Sequence, residues 1–184
     1  MTGQVADIEA SKADLQDVIR DLEQNMQTIF SDSFQRINRT FSQLFTQFFE
    51  GGEACLELTD PENLLESGVE ITVQPPGKII KNLASLSGGE QSFVAIALYF
   101  AILQERPSPF CVLDEIESAL DDVNVGKYAR YLREICGSTQ FIVITHRRGT
   151  MENADVLYGV TTQQDGVSRV LTLDLNQAVE TVGK

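Results

Sequence analysis

The first fifty residues carry an apolar stripe of the kind that builds a coiled coil. Apolar positions recur at alternating steps of four and three, with charged and amide side chains between them. No proline interrupts residues 6–49, so the pattern predicts one helix of about 65 Å that ends at Gly51 and Gly52. The stripe consists of Leu15, Ile19, Leu22, Met26 and Ile29. The chain holds no second helix of this length, which favours a partner helix from elsewhere over a surface position in a bundle.

After Ile29 the register of this helix changes. The next apolar positions include aromatic rings, which favour globular packing over a narrow coiled-coil seam. They are Phe34, Ile37, Phe41, Leu44 and Phe48. Two segments of alternating apolar and polar residues follow, 53–59 and 68–74, separated by the turn-rich stretch DPENLLESG. They predict a small antiparallel sheet.

Residues 93–103 leave no polar face and predict a helix that is buried on all sides. Ser87, Gly88 and Gly89 stand directly before this run. A serine there can cap the helix, and glycines let the backbone approach a ligand, so the positive end of the helix could bind a phosphate. The alternative is an ordinary serine-capped helix after a glycine turn.

A strand, a helix and a second strand follow. The apolar run 110–113 ends in Asp114 and Glu115, and the run 141–144 ends in Thr145 and His146. Continuous apolar runs are typical of strands covered on both faces. The intervening helix is expected to begin near Asp121 or Asp122 and to stop at Gly137. Its apolar face is formed by Val125, Tyr128, Leu132 and Ile135.

A strand–helix–strand unit of these lengths predicts parallel strands, whose carboxyl ends share one edge. We therefore expect Asp114, Glu115 and His146 to converge at that edge, where open α/β sheets bind ligands. An aspartate there can hold a hydrated magnesium ion, a glutamate can orient a water, and a histidine can reach a phosphoryl group. Taken singly, Asp114 could be a cap, Glu115 a solvated charge and His146 a turn residue.

Composition narrows the possible functions. The net charge of −13 argues against a chain that binds nucleic acid by itself. Cys55, Cys111 and Cys136 lack metal-site spacing and are expected to be buried free thiols in the cytoplasm. No segment has the length and apolarity of a membrane span, so we expect no membrane contact. Five basic residues are predicted to lie on solvated faces: Lys127, Arg130, Arg133, Arg147 and Arg148.

Taken together, these motifs resemble those of the ABC-type ATPases. LSGGEQ resembles their signature motif, FCVLDE their Walker B strand with its catalytic glutamate, SALD their D-loop, and THR supplies the switch histidine. From about residue 15 to about residue 175 the amino-acid sequence is similar to the C-terminal head half of bacterial SMC proteins, the chromosome-condensing ATPases. Gln91 departs from the Lys or Arg that many SMC proteins carry there.

This resemblance implies a role for each motif residue. The signature residues Ser87, Gly88, Gly89 and Glu90 would meet the ATP bound on an opposite head. Asp114 would support Mg²⁺ through water, Glu115 and His146 would be catalytic, and Asp121 of the D-loop would link the two composite sites.

The resemblance also implies an organisation. We expect an α/β fold, the C-terminal half of an ABC-type ATPase head with a mostly parallel sheet flanked by helices and a small antiparallel sheet. Residues 1–50 would be the coiled-coil neck helix and residues 51–184 the head lobe. The sequence has no G-x-x-x-x-G-K-S/T loop, since QPPGKII lacks the glycines and the hydroxyl. We therefore expect a truncated half-head that is inactive as an ATPase on its own.

The implied partners are the N-terminal SMC head lobe, a second SMC head in an ATP-dependent homodimer, and a kleisin subunit. The kleisin would dock near residues 53–74 and the chain's end, and DNA would be bound through the full complex, placing the protein at the nucleoid. Two other functions stay open: the head lobe of a related coiled-coil DNA-repair ATPase, and a non-catalytic kleisin-docking module.

Overall fold

The protein is described by a computed structural model that covers residues 2–77, 83–137, 139–162 and 166–174. Its helices are α1 (Thr2–Phe49), α2 (Gly88–Glu105), α3 (Asp122–Ile135) and α4 (Arg148–Met151), and a 3-10 turn covers Leu83–Ser85. Its strands are β1 (Glu53–Leu58), β2 (Val69–Gln74), β3 (Phe110–Asp114), β4 (Gln140–Ile144), β5 (Val156–Thr162) and β6 (Ser168–Asp174). None of the helices in these ranges has the length and apolarity needed to cross a membrane.

Within the described ranges the strands pair into three two-stranded sheets. The β1–β2 and β5–β6 pairs are antiparallel, whereas β3 and β4 are parallel. The chain thus has an α/β fold with a long N-terminal helix and small sheets. Parallel pairing is limited to β3 and β4, because each parallel pair needs a crossover helix and the described chain supplies one such unit.

The chain divides into two compact units, Met1–Leu86 with Ala97–Arg106, and Ser87–Ile96 with Pro107–Lys184. In the first unit, α1 packs against β1 with its aromatic C-terminal half. The rings of Phe41, Phe45 and Phe48 are fully or almost fully buried there. Asn38 adds a two-point bond to β1, since its Nδ2 donates to the Leu56 carbonyl at 3.1 Å and its Oδ1 accepts from the Leu56 amide at 2.8 Å. The change of register after Ile29 therefore marks the start of globular packing.

The N-terminal half of α1 keeps its apolar stripe in solvent. Leu15, Ile19 and Leu22 are each more than half exposed, as are Met26 and Ile29. At its C-terminal end the helix stops where Glu50 adopts a left-handed φ of 57° and the Gly51 amide donates to the Thr46 carbonyl at 2.9 Å. This six-residue closure satisfies a carbonyl that the helix leaves free. The helix thus ends next to the two glycines, as predicted, and Glu50 takes part in its termination.

Helix α2 is not buried on all sides, contrary to the expectation from its composition. Phe93, Val94 and Phe100 are buried, but Tyr99 is 40% and Ile102 49% exposed, and Ala95 is also exposed. Positions 95, 99 and 102 lie on one helical stripe because they are spaced by four and three residues. The described chain thus covers most of α2 and leaves one apolar stripe open.

In the second unit, β3, α3 and β4 form the expected strand–helix–strand unit. Val125, Tyr128 and Leu132 of α3 are buried, and so are Cys111 and Leu113 of β3. The expectation that both strands are covered on both faces is wrong for this chain, because alternate residues on the other face are about half exposed. These are Phe110, Val112, Ile142 and Ile144. The described residues therefore cover only one face of the β3–β4 sheet.

The three cysteines lie in different environments. Cys111 is buried, Cys55 is half-buried and Cys136 is exposed, so the expectation of three buried thiols fails for Cys136. Cys136 follows the last residue of α3, where a helix end meets solvent. Burial and the nearby Glu57 carboxylate raise the pKa of the Cys55 thiol above 9.0. That thiol therefore stays protonated and unreactive at neutral pH.

One ion pair in the first unit predicts a pH-dependent stability. Arg36 donates from Nε to both oxygens of Glu105, at 2.9 and 2.8 Å, and Ser33 donates from Oγ at 3.1 Å. These bonds, the Arg36 bond foremost, lower the pKa of Glu105 below its ordinary 4.5. The charged carboxylate is thus favoured in the folded state, so its stabilisation is present above pH 4.5 and is lost as the pH falls through the lower folded-state pKa.

We expect Glu105→Gln to lower the free energy of unfolding at neutral pH, and the difference from wild type to shrink on acidification. Urea unfolding of both proteins at several pH values measures this difference in the free energy of unfolding. Asp17→Asn is the matched control, since the Asp17–Arg20 pair is exposed on both sides and such pairs contribute little. A Glu105→Gln loss that is constant with pH, or no larger than that of Asp17→Asn, would contradict the prediction.

Candidate functional site

The edge beyond β3 and β4 brings the predicted acidic and imidazole side chains together. Asp114 pairs with Ile144 in register, which confirms the parallel arrangement predicted from the sequence. The Glu115 amide then donates to the Ile144 carbonyl at 2.9 Å, extending the pairing one residue beyond β3. Because the strands end side by side, the residues that follow each strand become neighbours.

Glu115 has a strained backbone at this edge. Its φ of 47° lies in the left-handed region, which residues with a side chain rarely adopt. Nδ1 of His146 lies 3.2 Å from Oε1 of Glu115, and both side chains are more than half exposed. With a hydrogen on Nδ1, the imidazole donates to the carboxylate and orients it. Strain of this kind is concentrated at functional sites, so the outlier marks Glu115 as a candidate.

Asp114 lies at the last position of β3 with its side chain exposed. No cluster of three or more His, Cys, Asp or Glu side chains in the described ranges is arranged to hold a metal ion. A single carboxylate of this kind fits Mg²⁺, which keeps several waters and relies on one or two carboxylates together with substrate phosphates. It does not fit a metal that needs a cage made by the protein alone.

The predicted serine cap of α2 is present as a reciprocal capping box. The Glu90 amide faces Ser87 Oγ at 3.4 Å, while the Ser87 amide and hydroxyl both donate to Glu90 Oε2, at 3.0 and 2.8 Å. Glu90 thus occupies the position three residues into the helix from which a carboxylate reaches back to the cap. Its contacts make it part of the cap.

The two glycines of this turn differ in what surrounds them. A Cβ added to Gly88 would meet nothing within 4 Å, whereas one added to Gly89 would lie 3.0 Å from the Ala119 carbonyl oxygen. A contact within the chain therefore favours glycine at position 89, because the backbone there closely approaches the turn after Glu115. The sequence predicts that both glycines let the backbone approach a phosphate, and for Gly89 this contact is a second reason for a residue without a side chain.

Asp121 caps α3. Its Oδ1 accepts from the Asn124 amide at 2.8 Å and its Oδ2 accepts from the Asn124 side-chain amide at 3.0 Å. Both carboxylate oxygens are thus engaged locally, which orients the side chain at the start of the helix.

Glu117 and Arg147 join the two loops of the site, and the sequence pattern predicts neither role. Glu117 is completely buried, although nothing in its spacing indicates burial. Arg147 was predicted to be solvated, but its side chain is 23% exposed and donates to the Leu120 carbonyl and to Asp122 Oδ1, each at 2.9 Å. Arg148, by contrast, is 91% exposed, as predicted. An arginine between a histidine and a short helix gives no periodic signal of burial.

Comparisons with known proteins identify related chains. A family model described as the RecF/RecN/SMC N-terminal domain matches residues 4–169. The chain is 53% identical over 182 residues to the chromosome partition protein Smc of Bacillus subtilis, covering 99% of this chain and 15% of that protein. It therefore spans a small part of that relative's length.

Two solved structures are also similar. An Smc head domain with an extended coiled coil from Pyrococcus furiosus, bound to the C-terminal domain of ScpA, matches with a TM-score of 0.83 and 39% identity, covering 95% of this chain and 44% of that one. A chain from work on ATP-driven dimerization and DNA-stimulated activation of SMC ATPases matches with a TM-score of 0.74 and 39% identity, covering 85% and 95%.

The surroundings of the two glycines predict different effects of the same substitution on stability. Gly88→Ala should leave stability unchanged or raise it by about 0.4–1 kcal/mol, because alanine restricts the unfolded chain and meets open space. Gly89→Ala should be less stable than Gly88→Ala, because its new methyl group would lie only 3.0 Å from the Ala119 carbonyl oxygen, which would have to give way by a few tenths of an ångström. Chemical unfolding of both variants tests this, and equal stabilities would refute the close approach.

Proposed function

The chain belongs to the RecF/RecN/SMC N-terminal domain family, and we propose that it is the C-terminal lobe of the ATPase head of an SMC protein that acts in chromosome condensation and segregation. In this proposal residues 1–50 form the neck of the coiled coil and residues 51–184 the lobe. The lobe contributes a signature motif, a Walker B strand and a switch histidine to ATP-dependent head engagement and hydrolysis.

The observation that carries the proposal is the joint placement of Glu115 and His146. A strained glutamate that directly follows a parallel strand lies 3.2 Å from an imidazole that follows the neighbouring strand. Both side chains project into solvent at the sheet edge where nucleotides bind in α/β proteins. This arrangement suits a carboxylate that orients an attacking water and an imidazole that contacts the transferred phosphoryl group.

Asp114 would hold Mg²⁺ through water beside this pair, and the ion, when bound, would neutralise phosphate charge. The exposed position of Asp114 at the strand end leaves room for such waters. Glu115 would accept a hydrogen bond from the attacking water and His146 would keep the carboxylate oriented. The bond from the Glu115 amide to the Ile144 carbonyl would hold the backbone of Glu115 at this edge.

Ser87, Gly88 and Gly89 would serve the nucleotide held by a second head. The open space at Gly88 leaves the first turn of α2 accessible to a phosphate, which amide groups and the helix dipole attract. Glu90 would act by holding Ser87 in place, since a carboxylate repels phosphate and this one is bonded to the serine. Asp121, fixed as the cap of α3, would present the D-loop to the opposite site.

Three open apolar surfaces support the proposal that the chain is half of a head. They are the α1 stripe, the α2 stripe at Tyr99 and Ile102, and the exposed face of the β3–β4 sheet. Contiguous apolar surface of this kind is typical of a surface that another element covers. We assign the sheet face to the N-terminal SMC head lobe, which would carry the Walker A loop that the sequence lacks, and the α1 stripe to the returning coiled-coil helix.

The remaining partners follow from the same proposal. The related Pyrococcus furiosus head is bound to the C-terminal domain of ScpA, and we assign a kleisin of this kind to residues 53–74. The predicted contribution of the chain's end lies outside the described residues. The net charge of −13 assigns DNA binding to the assembled complex rather than to this lobe.

The function is tested by completing the head. Co-expression with the matching N-terminal lobe should give ATP turnover whose rate per head rises with protein concentration, because each composite site needs two heads. The 184-residue chain alone should show none. Turnover by the isolated chain, or a rate independent of concentration, would overturn the proposal, and a completed head without turnover would favour a docking module.

Ser87→Arg is the companion variant in this assay. Its bulk and charge should prevent engagement while ATP binding by the completed head is retained. Retained engagement would remove Ser87 from the site formed with the second head.

Glu115→Gln separates binding from hydrolysis. The amide keeps the size of the side chain but is a poor acceptor for a water proton, so turnover should fall by about 10²–10⁴-fold while ATP binding persists and engaged dimers accumulate. Single-turnover kinetics and size-exclusion chromatography with ATP measure both effects. Glu134→Gln on the exposed part of α3 is the matched control, and a Glu115→Gln head with normal turnover would exclude the proposed role.

A further inference from the structure

A buried carboxylate lies between the two loops of the candidate site. Glu117 follows Glu115 by two residues, and its side chain has no exposed surface. Its Oε1 accepts hydrogen bonds from Thr145 Oγ1 at 2.5 Å and from Thr150 Oγ1 at 3.0 Å. One oxygen atom thus holds the loop on both sides of His146.

The bond from Thr145 also shapes the loop itself. Its Oγ1 accepts from the Arg147 amide at 2.9 Å while donating to Glu117. The hydroxyl thereby links the backbone after His146 to the carboxylate. Thr150, the second donor, is almost completely buried in α4. The segment 145–150 is fixed at its start and near its end, with His146 between the two attachments.

Burying a carboxylate costs free energy unless hydrogen bonds or a cation compensate it. Glu117 Oε2 has no hydrogen-bond partner in the described ranges, and no described cation pairs with Glu117. An apolar side chain of similar volume would avoid this cost. The buried carboxyl group therefore calls for a reason other than stability, and its hydroxyl partners lie on either side of the histidine.

We propose that Glu117 is a positioning residue, which holds the loop 145–150 so that His146 stays against Glu115. Because its side chain is fully buried, it would act through its two threonine donors. The catalytic consequence rests on the proposed function, whereas the consequence for the placement of His146 does not. Arg147 gives a second attachment through Leu120 and Asp122, so loss of one threonine bond should loosen the loop without releasing it.

His146 reports on the loop directly, because it is the chain's single histidine. We would label the imidazole with ¹³C and record its NMR signals in the 184-residue chain. Thr150→Val removes one donor to Glu117 at nearly constant volume. Its His146 signal should shift towards that of a free histidine and broaden, while Thr150→Ser, which keeps the hydroxyl, should restore the wild-type signal.

Thr139→Val is the matched control. Thr139 is a buried threonine outside the loop, and its Oγ1 donates to the Ser108 carbonyl at 2.7 Å. This variant loses a buried hydroxyl bond of the same kind but should leave the His146 signal unchanged. Thr145→Val supplies a second test if Thr150→Val does not fold, since it removes the other donor to Glu117.

The completed head gives the catalytic readout. Thr150→Val should lower kcat by about tenfold, because a misplaced catalytic group costs rate even when binding is intact. The KM for ATP should not change, and Thr139→Val should match wild type. A His146 signal that is the same in Thr150→Val and Thr139→Val would overturn the positioning role, whatever the head's activity. An inactive wild-type head with a shifted Thr150→Val signal would overturn the proposed function and retain the positioning role.

Discussion

Parallel pairing of β3 with β4 is the constraint on which the candidate site depends. The register places Asp114 opposite Ile144, and one further bond, from the Glu115 amide to the Ile144 carbonyl, carries the pairing beyond the strand. At that point the backbone of Glu115 turns into the left-handed region, and the chain leaves the sheet towards α3. His146 leaves β4 beside it. An antiparallel pairing would place these residues at opposite ends of the sheet, so strand direction, set by the crossover through α3, decides whether they meet.

The parts of this fold that sequence predicts are those with a local period or a local signal. The helix before Gly51, the strands around DPENLLESG, the Ser87 cap and the apolar face of α3 each follow from residues a few positions apart. The convergence of Glu115 with His146 follows from strand direction alone. Glu117 could not be predicted, because its partners Thr145 and Thr150 are about thirty residues away and its burial follows no period. The exposed face of the β3–β4 sheet was missed because an apolar run indicates that a surface is covered without indicating which chain covers it.

The open surfaces share one physical reason under the proposed function. The exposed apolar surfaces are a stripe on α1, another on α2 and the sheet face at Val112 and Ile142. Burying each of them against a partner would stabilise the assembled head, because apolar surface would be removed from water. The described residues supply no layer over them, although the cores of the two units are closed around aromatic rings such as Phe45 and Tyr128. A lobe of this kind has a packed core but leaves apolar surface exposed to solvent. Its stability and its activity would then both depend on the half of the head that completes it.

The close approach of Gly89 to Ala119 ties the proposed functions together within one compact unit. Gly89 belongs to the turn that would serve a nucleotide on a second head. Ala119 lies between Glu115, which would act on the nucleotide of its own head, and Asp121, which would belong to the D-loop. A shift of either turn would displace the other, because a methyl group added at Gly89 would lie only 3.0 Å from the Ala119 carbonyl oxygen. The same turn carries Glu117, which holds the loop of His146. Under the proposed function, engagement at one site and hydrolysis at the other would thus act on one short segment, residues 115–121, which ends in the α3 cap Asp121 and has the buried Glu117 at its centre.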